Sequence, residues 1–349
     1  MAEEREAAGA AGAAGATEAS ETPEEAEAAR KRCGLVAVLG APNAGKSTLV
    51  NRLVGAKVSI VTQKVQTTRA RVRGIAMEEG ADGAAVQLVY IDTPGIFAPR
   101  RTLDRAMVQA AWEGAEGADA TLLMVDAPSY VAAGEEGGQK REGAAARRAA
   151  EDTDRIIDGL KAQGAKAVLV LNKIDLIPAP PLLKLTERLN EHGLFTDTFL
   201  VSAEKGRGTD DLKRHLTALM PEGPFLYPED QLSDANDRLM AAEITREKLF
   251  LRLHQELPYS LTVETETWGR TKKGELRIEQ VVYVERDSQK ALVLGRKGHT
   301  ISAVGKTARE ELTEMLGETV HLFLFVKVRE KWAEDAERLR GMGLEGLPR

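Results

Sequence analysis

The feature that most constrains this sequence is a glycine-containing stretch at residues 40–47, which reads Gly40-Ala41-Pro42-Asn43-Ala44-Gly45-Lys46-Ser47. It fits the pattern G-x-x-x-x-G-K-[ST], in which successive backbone N–H groups surround a phosphate group. The apolar run before it is typical of a buried parallel strand, and residues 48–53 after it have helical spacing. Strand, glycine turn and helix are the setting that phosphate binding requires, because the helix N-terminus adds positive potential.

Side chains at the end of this loop have predicted roles. Lys46 is expected to reach the β- and γ-phosphates of a nucleoside triphosphate, and the Ser47 hydroxyl is expected to bind Mg²⁺. Thr48, in the first turn of the helix, is included among the nucleotide-binding residues. A glycine turn that binds nothing would be the alternative if no second motif agreed with the first.

A second motif, Asp92-Thr93-Pro94-Gly95, follows the apolar run 86–91. A carboxylate there can reach a magnesium ion held by Ser47, and the Gly95 N–H can meet a γ-phosphate. We assign all four residues of this motif to the nucleotide site.

A threonine is expected to complete the metal site. Gln66-Thr67-Thr68-Arg69 lies before a predicted strand, where a threonine hydroxyl can join Mg²⁺ only when the third phosphate holds the loop closed. Thr68 is the favoured ligand, and Thr67 is the alternative. The predicted metal ligands are therefore Ser47, Thr68 and Asp92, and the predicted catalytic residues are Lys46, Thr68 and Gly95.

The third motif, Asn172-Lys173-Ile174-Asp175, follows the apolar run 167–171 and so lies at the carboxyl edge of the sheet, where ligands of open α/β folds bind. Asp175 can accept hydrogen bonds from guanine N1–H and the N2 amino group, which adenine lacks. We expect Lys173 to lie across the base and Asn172 to tie the loop together. The triplet Ser202-Ala203-Glu204 ends the next strand, with the Ala203 N–H directed at guanine O6. These motifs together predict that the protein binds GTP as substrate and forms GDP as product.

Two residues bear on the rate of hydrolysis. Ile96 follows Gly95, near the place where some GTPases carry a glutamine that orients the attacking water, and isoleucine has no donor or acceptor. Intrinsic hydrolysis is therefore expected to be slow. The amide oxygen of Asn43 suits a potassium ion, which makes K⁺ a second candidate cofactor beside Mg²⁺. The alternative is that Asn43 only stabilises the turn.

Composition predicts an intracellular protein with an acidic tail. The chain has 349 residues, 43% of them hydrophobic, and no apolar run approaches the roughly 18 residues needed to cross a bilayer. Residues 1–30 contain eight Glu and two Arg, so their net charge of −6 equals that of the whole chain. The rest is neutral, so we predict a disordered acidic tail over residues 1–33.

The remaining pattern predicts two domains. Residues 34–222 alternate strands and helices, as a doubly wound α/β sheet does, and 128–152 look like a mobile surface insertion. In that insertion Arg147 and Arg148 are either a solvated charge run or a basic RNA contact. Residues 223–349 follow a turn-rich segment and form a smaller α+β unit. Predicted strands of the first domain are 35–39, 71–77, 86–91, 120–125, 167–171 and 198–201.

The smaller unit contains Gly295-Arg296-Lys297-Gly298 between two predicted helices, with strands on either side. The glycines permit close backbone approach and the two basic side chains attract phosphates, so this loop is the predicted RNA-binding site. A plain helix–helix turn is the alternative. The basic segment 327–331 is a candidate extension of the RNA surface, and Trp332 is either part of it or a core anchor.

With these motifs in this order, the chain closely resembles the Era family of ribosome-associated GTPases. Further matches are Pro258-Tyr259-Ser260 and Val320-His321-Leu322. The resemblance implies a P-loop GTPase domain followed by a KH-like domain of type II. It also implies binding to small-subunit ribosomal RNA near its 3′ end, and a role in maturation of the small subunit on the pre-ribosomal particle.

The resemblance implies a cytoplasmic location, with peripheral association with the inner membrane as the alternative, and no DNA partner. A rival interpretation is an RNA-binding scaffold or chaperone in which GTP is a structural ligand. Ile96 is the residue that supports this rival.

Overall fold

The computed structural model describes residues 31–62, 64, 66–134, 140–253 and 260–344. Two sheets, of six and three strands, organise this part of the chain. The acidic residues 1–30 and the pair Pro258-Tyr259 lie outside the described residues. Within the described ranges, no helix combines the length and apolar character needed to cross a bilayer.

The larger sheet has the order β2-β3-β1-β4-β5-β6, with β2 antiparallel to β3 and every other neighbouring pair parallel. Its inner strands are buried on both faces, which explains why they are continuous apolar runs in the sequence. This confirms the predicted doubly wound α/β fold. The strands are β1 (Lys31–Gly40), β2 (Val72–Glu79), β3 (Ala85–Asp92), β4 (Ala120–Asp126), β5 (Ala167–Asn172) and β6 (Phe195–Leu200).

Helices cover both faces of this sheet and bury two apolar cores against it. The loop at residues 40–47 connects β1 to the first helix, as the sequence predicts. The helices are α1 (Lys46–Val54), α2 (Thr102–Ala115), α3 (Ala127–Gly134), α4 (Lys140–Ala162), α5 (Ala179–Asn190) and α6 (Thr209–Leu219).

The predicted domain limits differ from the structure at two places. Lys31 pairs with Ala85, so residues 31–33, assigned to the tail, belong to β1 because their backbone continues the ladder. Residues 223–235, assigned to the second domain, hydrogen bond to the first sheet. Ile75 N donates to Leu232 O at 2.9 Å, and the buried Gln87 side chain binds the backbone of Tyr227.

The predicted insertion at 128–152 is largely helical where it is described. α3 and α4 occupy residues 127–134 and 140–162, and residues 135–139 lie outside the described part. Arg147 and Arg148 are exposed on α4. The mobility of this segment stays a prediction.

The smaller sheet has the order β7-β8-β9, with β7 antiparallel and β9 parallel to the central β8. Helix, two strands, two helices and a strand in this order form the helix-first KH arrangement, which confirms the predicted type II fold. The elements are α7 (Asp237–Arg252), β7 (Leu261–Arg270), β8 (Leu276–Val284), α8 (Asp287–Leu294), α9 (His299–Leu316), β9 (Val320–Val328) and α10 (Ala336–Gly341).

Trp332 is a core anchor and not part of an exposed RNA surface. Its side chain is fully buried, and its indole N–H donates to Ser260 O at 3.1 Å. It packs in one cluster with Leu103 and Met107 of α2 and with Leu339 of α10. The C-terminal segment therefore joins the second unit to the first.

Candidate functional site

The loop at residues 40–47 encloses its lysine. Lys46 Nζ donates to the carbonyl oxygens of Gly40, at 3.1 Å, and Ala41, at 3.0 Å. Burial lowers the pKa of Lys46 to about 8, and the charge of Asp92 opposes that shift. The ammonium is thus directed into the curve of the loop. Predicted residues that line one small pocket here are Pro42, Asn43, Gly45, Lys46, Ser47, Thr48, Thr68 and Gly95.

The three predicted metal ligands meet at one point. Ser47 Oγ donates to Asp92 Oδ2 at 2.7 Å and lies 2.8 Å from Thr68 Oγ1, although the three residues come from separate segments. Asp92 is fully buried, which raises its pKa, and its Oδ1 atom has no hydrogen-bond partner among the described residues. Two hydroxyls and a carboxylate with an unused oxygen fit Mg²⁺, which prefers hard oxygen ligands.

The structure distinguishes between the two threonines. Thr67 Oγ1 lies 2.6 Å from Thr62 Oγ1 and 2.6 Å from Lys64 O, so its hydroxyl stabilises the loop itself. Thr68 Oγ1 lies 3.4 Å from Asp92 Oδ2. Of the two candidates, Thr68 is therefore the one placed beside Ser47 and Asp92.

The residues after β3 lie against the glycine loop. A Cβ atom on Gly95 would come within 2.9 Å of Pro42, so only glycine allows this close approach. Thr93 Oγ1 donates to Val38 O at 2.7 Å, and Pro94 is buried, so these two residues hold the segment without facing the pocket. Ile96 has no exposed surface and packs in the core, away from the pocket.

Asn172 connects two loops. Its Nδ2 donates to Ala44 O at 2.8 Å, and its Oδ1 accepts the Ala203 N–H at 3.0 Å. The second contact uses the Ala203 N–H, and the predicted contact of this N–H with guanine O6 stays a prediction. Glu204 is exposed, and its carbonyl oxygen accepts from Arg52 at 2.7 Å.

Asp175 lies in a short 3₁₀ turn, and its side chain is exposed. A hydrogen bond with the buried Ser202 lowers the pKa of Asp175, so it is ionised at neutral pH and offers acceptors only.

Sequence reasoning missed Asp126, whose carboxylate forms an ion pair with Lys173 Nζ at 2.6 Å. Asp126 ends β4 and stands in register with Asn172 at the end of β5. Its position at the carboxyl edge of the sheet was the available signal. The pair fixes Lys173 beside the predicted base site.

The predicted RNA loop joins α8 to α9. Arg296 and Lys297 are exposed there, and Lys297 and Gly298 have φ angles of 52° and 78°. The N-terminus of the 18-residue helix α9 follows directly, so its unpaired N–H groups face the same region. The loop therefore presents two cations and a helix N-terminus to the exterior.

The predicted extension along β9 carries balanced charges. Lys327 pairs with Glu266 at 3.0 Å, and Arg329 pairs with Asp335 at 2.8 Å. These two cations of the predicted extension are thus neutralised by neighbouring carboxylates, whereas Arg296 and Lys297 are exposed at the loop between α8 and α9.

Comparison with known proteins agrees with this arrangement. A family model described as a 50S ribosome-binding GTPase matches residues 35–173, and one described as a KH domain matches residues 256–333. The protein named GTPase Era from Brucella suis biovar 1 is 53% identical over 319 residues, which cover 91% of this chain and 95% of that protein. GTPase Era from Dinoroseobacter shibae is 55% identical over 323 residues, with coverage of 91% and 97%.

Solved structures give the same result over 90% of the chain. A variant of Aquifex aeolicus Era bound to GDP and aluminium fluoride matches with a TM-score of 0.76 and 35% identity, covering 90% of this chain and 99% of that one. Era in complex with MgGDPNP and nucleotides 1506–1542 of 16S ribosomal RNA matches with the same values. This chain belongs to the Era family of GTPases.

Proposed function

We propose that this protein binds and slowly hydrolyses GTP, and that its nucleotide state controls how its KH unit holds the 3′ end of small-subunit ribosomal RNA during subunit maturation. The observation that carries the proposal is the convergence of Ser47, Thr68 and Asp92 from three separate segments. When the hydroxyl of Thr68 binds the metal, the loop that carries Thr68 becomes sensitive to the third phosphate.

The roles follow from the geometry. Lys46 and the backbone of the glycine loop bind the β- and γ-phosphates, and Gly95 offers its N–H to the γ-phosphate. Ser47, Thr68 and Asp92 would hold Mg²⁺, which offsets charge on the phosphate oxygens when bound. Asp175 selects guanine, with Lys173 held beside it by Asp126.

The RNA role rests on the exposed loop at residues 295–298. Cations and a helix N-terminus attract the phosphate backbone, and the Era relative holds nucleotides 1506–1542 of 16S ribosomal RNA. The small pre-ribosomal subunit in the cytoplasm is accordingly the proposed partner, through RNA and not DNA. Peripheral contact with the inner membrane stays an alternative.

The test measures binding of the full chain to an RNA oligonucleotide with the 3′-terminal sequence of small-subunit ribosomal RNA. We expect affinities that differ between the Mg·GDPNP and GDP states, and no difference for Lys46→Ala. Because one family description names the 50S ribosome, purified 30S and 50S subunits are compared in the same assay. Equal RNA affinity in both nucleotide states, or preference for 50S subunits, contradicts the proposal.

The rival function, an RNA scaffold with GTP as a structural ligand, is favoured by one observation. Ile96 is buried in the core, so no side chain at this position orients a water molecule. Single-turnover hydrolysis with and without immature small subunits separates the two. Acceleration by the particle supports a switch, and a rate that stays at that of GTP alone in buffer supports a scaffold.

A further inference from the structure

Arg246 is a buried arginine of the second unit that contacts a loop of the first. It lies on α7 with 1% of its surface exposed. Its guanidinium donates to Gln66 O at 3.2 Å and also to Thr67 O. Glu243 fixes it from the same helix, with Arg246 Nε donating to Oε1 at 2.8 Å. The two carbonyls it holds immediately precede Thr68.

The residue after Thr68 is anchored to the same unit. Arg69 is 4% exposed and donates to Leu261 O, at the start of β7, at 2.8 Å. Its guanidinium lies 5.4 Å from the centre of the Trp332 ring. Burial and the charge of Arg246 lower the pKa of Arg69 to about 9, so it remains charged at neutral pH. Thr68 is therefore held on both sides by contacts with the second unit.

The rest of the loop before β2 (residues 57–62, 64 and 66–71) also lies along α7. Glu247 accepts from Val61 N at 2.9 Å and from Lys57 Nζ at 2.7 Å. Lys64 Nζ donates to the carbonyl oxygens of Phe250 and Leu253, at the C-terminal end of α7. The position suits the Lys64 ammonium group, because the helix dipole is negative at the C-terminal end of α7.

We propose that Arg246 is a positioning residue for Thr68, so that the RNA-binding unit completes the GTP site of the same chain. The inference deepens the proposed function and rests on it. A charge-assisted contact to the backbone carbonyls of Gln66 and Thr67 sets where the next residue, Thr68, lies. Because coupling is reciprocal, a nucleotide with a third phosphate strengthens the contact between this loop and α7.

The experiment compares Arg246→Met and Arg246→Lys with a matched control. The control is Arg238→Met, since Arg238 lies on the same helix and also donates to two carbonyls, Thr265 O at 3.0 Å and Glu266 O at 2.9 Å, but within the second unit. Dissociation constants are measured for Mg·GDPNP and for GDP, and hydrogen exchange is followed in the loop before β2. Thermal unfolding with GDP confirms that each variant is folded.

Arg246→Met is expected to weaken Mg·GDPNP binding about tenfold and to leave GDP binding within about twofold, since Thr68 acts only with the third phosphate. Arg246→Lys should restore part of the loss, and Arg238→Met should change neither constant. Exchange in the loop should rise in Arg246→Met. Combining Thr68→Ala with Arg246→Met should give no larger loss than Thr68→Ala alone.

Three results would overturn the inference. These are unchanged Mg·GDPNP affinity in folded Arg246→Met, equal losses for GDP and Mg·GDPNP, and fully additive losses with Thr68→Ala. If Thr68→Ala itself leaves Mg·GDPNP binding unchanged, the proposed metal site fails and the inference fails with it. If Thr68→Ala weakens binding and Arg246→Met does not, only the role of Arg246 is refuted.

Discussion

The two glycine loops of this protein are built in opposite ways. The loop at 40–47 is fixed by side chains, with Ala44 O bound by Asn172 from outside the loop and the carbonyls of Gly40 and Ala41 bound by Lys46 of the loop itself. The loop at residues 295–298 has short-range backbone contacts, such as Gly298 N to Gly295 O at 3.1 Å, and exposes its cations.

This difference matches the ligands proposed for them. A loop that is already organised avoids the entropy cost of ordering itself around a nucleotide. Single-stranded RNA has many shapes, and exposed cations with an accessible backbone bind it mainly through phosphates. The contacts around each glycine loop therefore match its proposed ligand. The loop at 40–47 is ordered before the nucleotide binds, and the loop at 295–298 exposes cations that attract phosphates.

The largest effect is expected from Asp175→Asn, which tests recognition of the base at the nucleotide site. The amide presents a donor to the guanine N1–H and N2 groups, which are donors themselves, and suits xanthine. We expect GTP affinity to fall by about 3 kcal/mol, more than a hundredfold. Competition between GTP and XTP for the variant measures the change.

RNA affinity of the same variant in the absence of nucleotide serves as the control and should not change. If Asp175→Asn still prefers GTP to XTP, the base does not bind at residues 172–175.

Gly298→Asp tests attraction by charge. A Cβ atom here would meet no described atom within 4 Å, so the substitution is tolerated apart from about 1 kcal/mol for the left-handed backbone. The carboxylate repels phosphates, and we expect RNA affinity to fall by about 2 kcal/mol, about thirtyfold. Binding titrations at several salt concentrations measure it.

GTP affinity of Gly298→Asp should match that of the unaltered protein, because the substitution lies neither in the glycine loop at 40–47 nor on α7. A folded variant with full RNA affinity would exclude residues 295–298 as the RNA site.

Gly295→Ala should behave differently from Gly298→Asp although both lie in one loop. A Cβ atom on Gly295 would come within 2.1 Å of Thr300 Oγ1, at a φ of 71°. We expect a loss of about 1–2 kcal/mol in the free energy of unfolding of the KH unit. Urea denaturation, followed by tryptophan fluorescence, measures this loss. Equal stability of Gly295→Ala and the unaltered protein would contradict the described loop geometry.

The sequence predicted the sheet interiors well because parallel strands buried on two faces must be apolar. It failed at the start of β1, where backbone pairing continues under a polar side chain, as at Lys31. It also missed the attachment of residues 223–235 to the first sheet, because those contacts are made mainly by backbone atoms.

The site was predictable where one motif supplies both residue and position. Ser47, Asp92 and Thr68 were assigned from three motifs and lie together. The contact between the Asn172 side chain and the Ala203 N–H was not predicted, because it joins a side chain and a backbone group from two separate motifs. Arg246 could not be predicted, since it binds backbone carbonyls 180 residues away and carbonyls leave no pattern in the sequence.

The smallest expected effect is on the rate of GTP hydrolysis and concerns Asn43 of the glycine loop at 40–47. Asn43 is exposed, lines the pocket beside Lys46 and Gly95, and has a φ of 64°. Asparagine tolerates this conformation, which is sufficient reason for its presence if it only stabilises the turn. Its amide oxygen is also a neutral hard ligand, and a monovalent cation there would offset charge that develops between the β- and γ-phosphates.

The buried position of Ile96 makes such a cation more consequential, because no side chain at that position assists the attacking water. We expect GTP turnover to be about fivefold faster in KCl than in NaCl at equal ionic strength, equivalent to about 1 kcal/mol in the barrier. Asn43→Ala should abolish the difference while GTP still binds, and Asn43→Asp, which keeps an oxygen ligand, should retain part of it. Equal rates in the two salts for the unaltered protein would show that the glycine loop acts on hydrolysis through Lys46 and its backbone alone.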